Sequence, residues 1–203
     1  AGSGSIAGYY RPALSSGNSV FDVLLYDTTS ARVEGSGSVG GLFGVLENKT
    51  VVNDTDAAGG MITITDSANK TTVVNANHTV TDCTNYGGLV GLYKSYSLAE
   101  TLDIENVKVT SSTTTAFTWY GGAIGQVDSY TPSNGKSAYV KLNGSDITVT
   151  GGNNVEVSDG KTYGGVVGNA NNGFVDIGTI SVSNGSGFKG AGLVGRVVDG
   201  VVR

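Results

Sequence analysis

One five-residue pattern, Gly-Gly-x-x-Gly with apolar residues in the middle, recurs along the chain and constrains its fold more than any other feature. The copies are Gly40-Gly41-Leu42-Phe43-Gly44, Gly87-Gly88-Leu89-Val90-Gly91, Gly121-Gly122-Ala123-Ile124-Gly125 and Gly164-Gly165-Val166-Val167-Gly168. A fifth copy, Ala191-Gly192-Leu193-Val194-Gly195, replaces the first glycine, and Ser5-Ile6-Ala7-Gly8 reads as a degenerate opening copy. The second glycines stand at 41, 88, 122, 165 and 192, so the intervals run from 47 residues down to 27. Units of this size are single supersecondary elements that bury their apolar face only by stacking on their neighbours.

The segments downstream of each pattern are also repeated. Leu102-Asp103-Ile104 and Val107-Lys108-Val109-Thr110 come after the second copy, Val140-Lys141-Leu142 and Ile147-Thr148-Val149-Thr150 after the third, and Val175-Asp176-Ile177 and Ile180-Ser181-Val182-Ser183 after the fourth. Alternating apolar and polar residues mark half-buried strands, and no 3.6-residue helical period lies between them. Three short strands per unit predict an all-β chain, a right-handed parallel β-helix (a three-sided β-solenoid of about five to six coils) with extended loops. The shortest interval sets the minimal coil. Excess length falls in loops at Tyr93 to Leu98, Ser111 to Trp119, Asp128 to Ala138 and Gly151 to Thr162. A glycine at each copy permits a sharp corner, a positive φ or close approach of successive coils.

These residues resemble the GLUG-type repeat, a glycine-rich β-helical unit of large bacterial surface proteins and adhesins. Gly164 through Ser183 is the nearest stretch, and the likeness spans roughly residues 38–198. It implies a secreted or cell-surface, wall-associated protein. Residues 1–203 then form one repeat domain, read as an excised piece of a larger protein, with Ala1-Gly2-Ser3-Gly4 compatible with an appended cloning remnant.

Composition narrows the partners. Of 203 residues 33 are Gly, 38% are hydrophobic and only 14% are charged, with a net charge of −5. The apolar share exceeds that of a disordered linker, and the acidic balance gives nucleic acid and anionic membrane no general attraction. No apolar run reaches the roughly 20 residues of a membrane helix, so no membrane insertion is expected. A single cysteine, Cys83, excludes an internal disulfide.

Candidate sites emerge from aligning the units. Asp103, Lys141 and Asp176 share one outward position, with Asp22 of Phe21-Asp22-Val23 an earlier candidate member. Neighbouring carboxylates suit a polysaccharide lyase or glycoside hydrolase, but acid-base-acid alternation is also what an exposed charge ladder needs. The ladder is the favoured reading, and no catalytic residue is assigned. Tyr86, Tyr120 and Tyr163 precede three successive Gly-Gly pairs; facing out they form a platform for sugar rings, facing in they are packing. Trp119, the only tryptophan, ends a Ser/Thr-rich loop, and Tyr93, Tyr96 and Tyr130 lie in or beside two others. These seven aromatics are the expected ligand contacts, because loops on a rigid scaffold carry binding more often than the scaffold does.

Weaker signals are set aside. Thr63/Thr65, Thr148/Thr150 and Ser181/Ser183 suggest the flat hydroxyl array of an ice-binding face, but Lys108 and the unequal units break it. His78 stands without a second ligand, and Asp54-Thr55-Asp56 is too short a cluster for calcium, so neither metal nor cofactor is expected. Cys83 reads as a small apolar group rather than a nucleophile. Sequons occur at Asn48, Asn53, Asn69, Asn77, Asn143 and Asn184. The leading expectation is a non-catalytic binding module of a bacterial adhesin whose loops hold a host-surface or secreted protein or a glycan, with immunoglobulin among the candidates. A structural stalk is the alternative, and a polysaccharide-cleaving enzyme the second.

Overall fold

The computed structural model describes residues 2–4, 6–11, 19–23, 35–48, 50–52, 55–57, 61–68, 72–75, 80–95, 101–111, 118–129, 138–149, 161–185 and 190–203. Its elements repeat in a fixed order. The first unit holds β1 (Gly2–Ser3), β2 (Ala7–Tyr10) and β3 (Ser19–Asp22). The second holds β4 (Gly35–Gly40), β5 (Phe43–Asn48), a short antiparallel pair of β6 (Thr50–Val52) with β7 (Thr55–Ala57), then β8 (Ile62–Thr65) and β9 (Thr72–Asn75). The third holds β10 (Val80–Gly87), β11 (Val90–Ser95), β12 (Thr101–Glu105) and β13 (Lys108–Ser111). In the fourth come β14 (Trp119–Gly121), β15 (Ile124–Ser129), β16 (Ala138–Asn143) and β17 (Ser145–Val149); in the fifth, β18 (Thr162–Gly164), β19 (Val167–Asn171), β20 (Gly173–Ile177) and β21 (Ile180–Asn184). Two strands, β22 (Val194–Val198) and β23 (Val201–Val202), close the order.

Equivalent strands pair in parallel. Sheet A runs β1-β4-β10-β14-β18, sheet B β2-β5-β11-β15-β19-β22, sheet C β3-β8-β12-β16-β20-β23, and sheet D β9-β13-β17-β21. Among the described residues the chain is all-β without a helix, an arrangement compatible with a β-solenoid. The expected strands are present, but the complete units carry four strands rather than three. The additional one ends on the first glycine of the pattern, as in β14 and β18. In β14 and β18 this strand has only three residues, too few to display a two-residue period.

The glycines act by close approach. At the bend between sheets A and B, a Cβ on Gly87 would overlap the carbonyl oxygen of Val90 and come within 2.6 Å of Gly125 N. A Cβ on Gly125 would lie 2.5 Å from Gly91 O and 2.7 Å from Tyr86 N, where sheet B meets the backbone of sheet A. Positive φ is not the reason: among described glycines it occurs at Gly37 and Gly144, outside the repeated pattern. The left-handed corners elsewhere are taken by Asn106, Asn172 and Asp199, residue types that tolerate that region. Backbone pairing continues through each glycine bend, where two amides converge on one carbonyl of the next unit: Leu89 N and Val90 N donate to Ala123 O at 2.8 and 3.1 Å.

The apolar core lies inside sheets B, C and D and is built of in-register columns such as Phe43, Val90, Ile124 and Val167, or Ile62, Leu102, Val140 and Val175, all buried. Each column sheds water from every member at once, at roughly 1.5–3 kcal/mol per fully buried side chain.

Candidate functional site

The tyrosine column is internal. Tyr86, Tyr120 and Tyr163 stand in register below Val39 on sheet A, and all four are buried. The Tyr86 and Tyr120 rings stack with centroids 5.3 Å apart and planes within 7°, whereas Tyr120 and Tyr163 are tilted at 6.1 Å. Tyr120 donates its hydroxyl hydrogen to Ser111 Oγ at 2.8 Å. Burial pushes the Tyr120 phenol above its ordinary pKa, and the Ser111 bond offsets only part of that rise. The expectation of a sugar platform is therefore overturned at these three residues, because their rings are spent on stacking.

Tyr93 is likewise a core residue. It lies within β11, in register with Leu46 and Val127, and is fully buried, so it offers no loop contact. Tyr96 and Tyr130 lie outside the described residues, as do residues 112–117, 130–137 and 150–160 of the expected loops. Trp119 remains. It stands on sheet A in the column Ser38, Asn85, Trp119, Thr162, and is partly buried. Its Nε1 is buried with no hydrogen-bond partner among the described residues.

The charged column on the outer face of sheet C is in register as expected. Asp103 stands opposite Lys141, and Lys141 opposite Asp176. Asp22 is not a member: it pairs with Thr65, whereas Asp103 pairs with Thr63, so it belongs two residues further along. Its Oδ atoms instead accept from Ser67 N and Oγ. Arg203, which the repeat alignment missed, completes the alternation. It bonds Asp176 Oδ2 at 2.9 Å through Nη2 and lies over the Phe174 ring at 4.8 Å. Tyr139 donates to the same carboxylate oxygen at 2.9 Å, and Lys141 Nζ sits over the Tyr139 ring at 5.3 Å.

Electrostatics derive from this geometry. The hydrogen bond from Arg203, then that from Tyr139, hold the Asp176 carboxyl below its ordinary pKa, and the same pairing raises Arg203. A general acid needs the opposite shift. Asp103 differs from the rest of its column: it is only 7% exposed, and its Oδ1 has no hydrogen-bond partner among the described residues. A second alternating column, which aligning the repeats did not reveal, runs along sheet B as Glu47, Lys94, Asp128 and Asn171, with Asn171 Nδ2 donating to Asp128 Oδ1 at 2.8 Å. Its signal was the third residue after the last glycine of each pattern.

The hydroxyl pairs do not form one array. Thr63 is buried beside Asp103. Thr110, Thr148 and Ser183 make one column on sheet D, but the adjacent column reads Thr72, Lys108, Asp146, Ser181, and Thr150 lies outside the described residues. Of the sequons, Asn48 is fully buried on β5, Asn143 and Asn184 are exposed, and Asn53, Asn69 and Asn77 lie outside the described residues, as do His78 and Asp54. Asn143 Oδ1 accepts from Thr179 N at 3.2 Å. Cys83 lies on β10 opposite Gly37.

Among the described residues no group of three or more His, Cys, Asp or Glu side chains is placed to hold a metal ion. No helix among them is long and apolar enough to cross a membrane. Comparison with protein-family models, with curated proteins and with solved structures finds no match.

Proposed function

We propose that the chain is a non-catalytic scaffold of a secreted or cell-surface bacterial protein: a right-handed parallel β-helix of GLUG-type units, stacked in six levels. Parallel strands joined by crossover connections are overwhelmingly right-handed, which is the basis for the handedness. The level count rests on the six strands of sheet B. The carrying observation is that the recurrent chemistry is used between units. Tyrosines stack on tyrosines, glycine backbones meet backbones, and the charges of sheet C alternate in register. A stalk that holds another domain away from a surface needs this and no ligand. The test is a glycan array together with a pull-down from host-surface and secreted proteins, immunoglobulin included. The scaffold reading expects both to be empty, and saturable binding to the wild-type chain would displace it.

Trp119 favours a second reading, an adhesin module that holds a glycan or protein through its loops. Trp119 is the one candidate contact among the described residues that is neither core nor stacked on a tyrosine, and its buried Nε1 has no acceptor. With Tyr96 and Tyr130 it would form the contact set. Because it is the chain's single tryptophan, intrinsic fluorescence reads that position alone. A ligand whose addition shifts the emission, and whose binding Trp119→Ala abolishes, would establish this reading.

A further inference from the structure

On the outer face of sheet C the fourth and fifth units present an aromatic ring and a charge side by side. Tyr139 stands in register with Phe174, and Lys141 with Asp176. Strand alternation puts all four on one face, because Val140 and Val175 between them are fully buried in the core. The two rings meet edge to face with centroids 5.0 Å apart, and none of the four side chains is buried. Lys141 is exposed and lies over the Tyr139 ring at 5.3 Å. It makes no ion pair with another described residue, although Asp103 and Asp176 flank it in the column.

We propose that this face docks the same face of a second copy of the chain, with the two stacks antiparallel. A twofold axis in the interface, along the strands and midway between β16 and β20, keeps each column on itself and reverses the order of the units. It sets Lys141 against Asp176 of the second copy and Tyr139 against Phe174 of the second copy, and symmetry repeats both contacts. One axis thus satisfies the charges and the rings together. A twofold along the stack would instead oppose lysine to lysine and aspartate to aspartate. An axis midway between β12 and β16 would oppose Tyr139 to Thr101 and Lys141 to the largely buried Asp103. The patch lies within residues 139–176 and uses the side of two complete units, not the edge of a first or last strand. A contact of this symmetry closes at two copies. It would tie stacks side by side, a role for the outer face that the scaffold reading does not require.

Sedimentation velocity of the intact chain at low salt, over a concentration series reaching about 1 mM, tests this, since so small a contact belongs at the weak end of association. Wild type is expected to pass from monomer to dimer and no further. Lys141→Glu sets carboxylate against Asp176, and Asp176→Lys sets ammonium against Lys141, so each variant alone should associate at least about tenfold more weakly. An equimolar mixture of the two should recover dimerisation, because every facing charge pair is then opposite in sign. Circular dichroism and thermal unfolding check that each variant is folded. Where a reversal costs folding, Lys141→Gln removes the cation without adding a carboxylate to the column, and it too should weaken the dimer. A wild type that stays monomeric to about 1 mM, growth beyond the dimer, or a mixture of folded variants that associates no better than either alone would each overturn the proposal.

Discussion

The seam between sheets A and B and the outer face of sheet C are both repeated down the stack, yet they are built on opposite principles. At the seam the repeated element is the missing side chain, and four full copies keep all three glycines. On the outer face the column reads Val20, Thr63, Asp103, Lys141, Asp176, and the residue changes from each unit to the next. Backbone meeting backbone admits no substituent, whereas the side chains of this column, from buried Thr63 and Asp103 to exposed Val20 and Lys141, need only avoid a like-charged neighbour. Sequence regularity in this protein therefore tracks steric necessity.

The seam is where the comparison is most easily broken. Gly122→Ala introduces a Cβ that overlaps the Gly165 carbonyl and sits 2.7 Å from Ile147 Cγ2, so it should cost about 3 kcal/mol or more in equilibrium urea unfolding, or prevent folding. Next in size is the stacked column bordering the seam. Tyr120→Phe loses its bond to Ser111 and should cost about 1 kcal/mol. The same residue predicts alkaline sensitivity. Its folded pKa is raised, so its contribution is complete below the unfolded phenol value of about 10 and is lost as pH rises beyond it. The phenylalanine variant should show a weaker decline in melting temperature above about pH 10 than wild type.

The outer face should respond least. Arg203→Ala removes an exposed, solvent-screened ion pair, and its cost in the same unfolding experiment should be the smallest of the three. Because Asp176 is lowered, its contribution is present above the ordinary carboxylate value and fades as pH falls through the folded pKa. Acid titration of stability should therefore differ slightly between wild type and Arg203→Ala, and the two curves should converge at low pH. A cost of several kcal/mol would mean that the ladder carries the fold, which would invert the comparison.

The division also explains what the sequence disclosed. Strands β12, β13, β16, β17, β20 and β21 were legible because half-burial imposes a two-residue period. The fourth strand was not legible in the later units, where three residues such as Trp119-Tyr120-Gly121 hold no period. The direction of Tyr86, Tyr120 and Tyr163 was open too, and only burial and stacking placed them inside. Asp22 was misaligned because the first unit has no full glycine pattern to fix its register. Arg203 was missed because it comes after the last copy and owes its place to pairing through β23, where Arg203 N donates to Val175 O at 3.1 Å. Trp119 was identified as a candidate contact from its type and loop position, but its unpartnered Nε1 is a property of its surroundings that composition does not carry.

The central claim is that the repeated glycines exist to let one unit lie against the next. Gly122 and Gly192 hold the same place in the pattern, but a Cβ at Gly192 would meet nothing within 4 Å, and among the described residues no strand pairs with the far edge of β22. Measuring the unfolding free energies of Gly122→Ala and Gly192→Ala isolates that difference. A loss of about 3 kcal/mol or more at Gly122 beside a change within about 0.5 kcal/mol at Gly192 is the result expected. Equal costs at the two positions would contradict it.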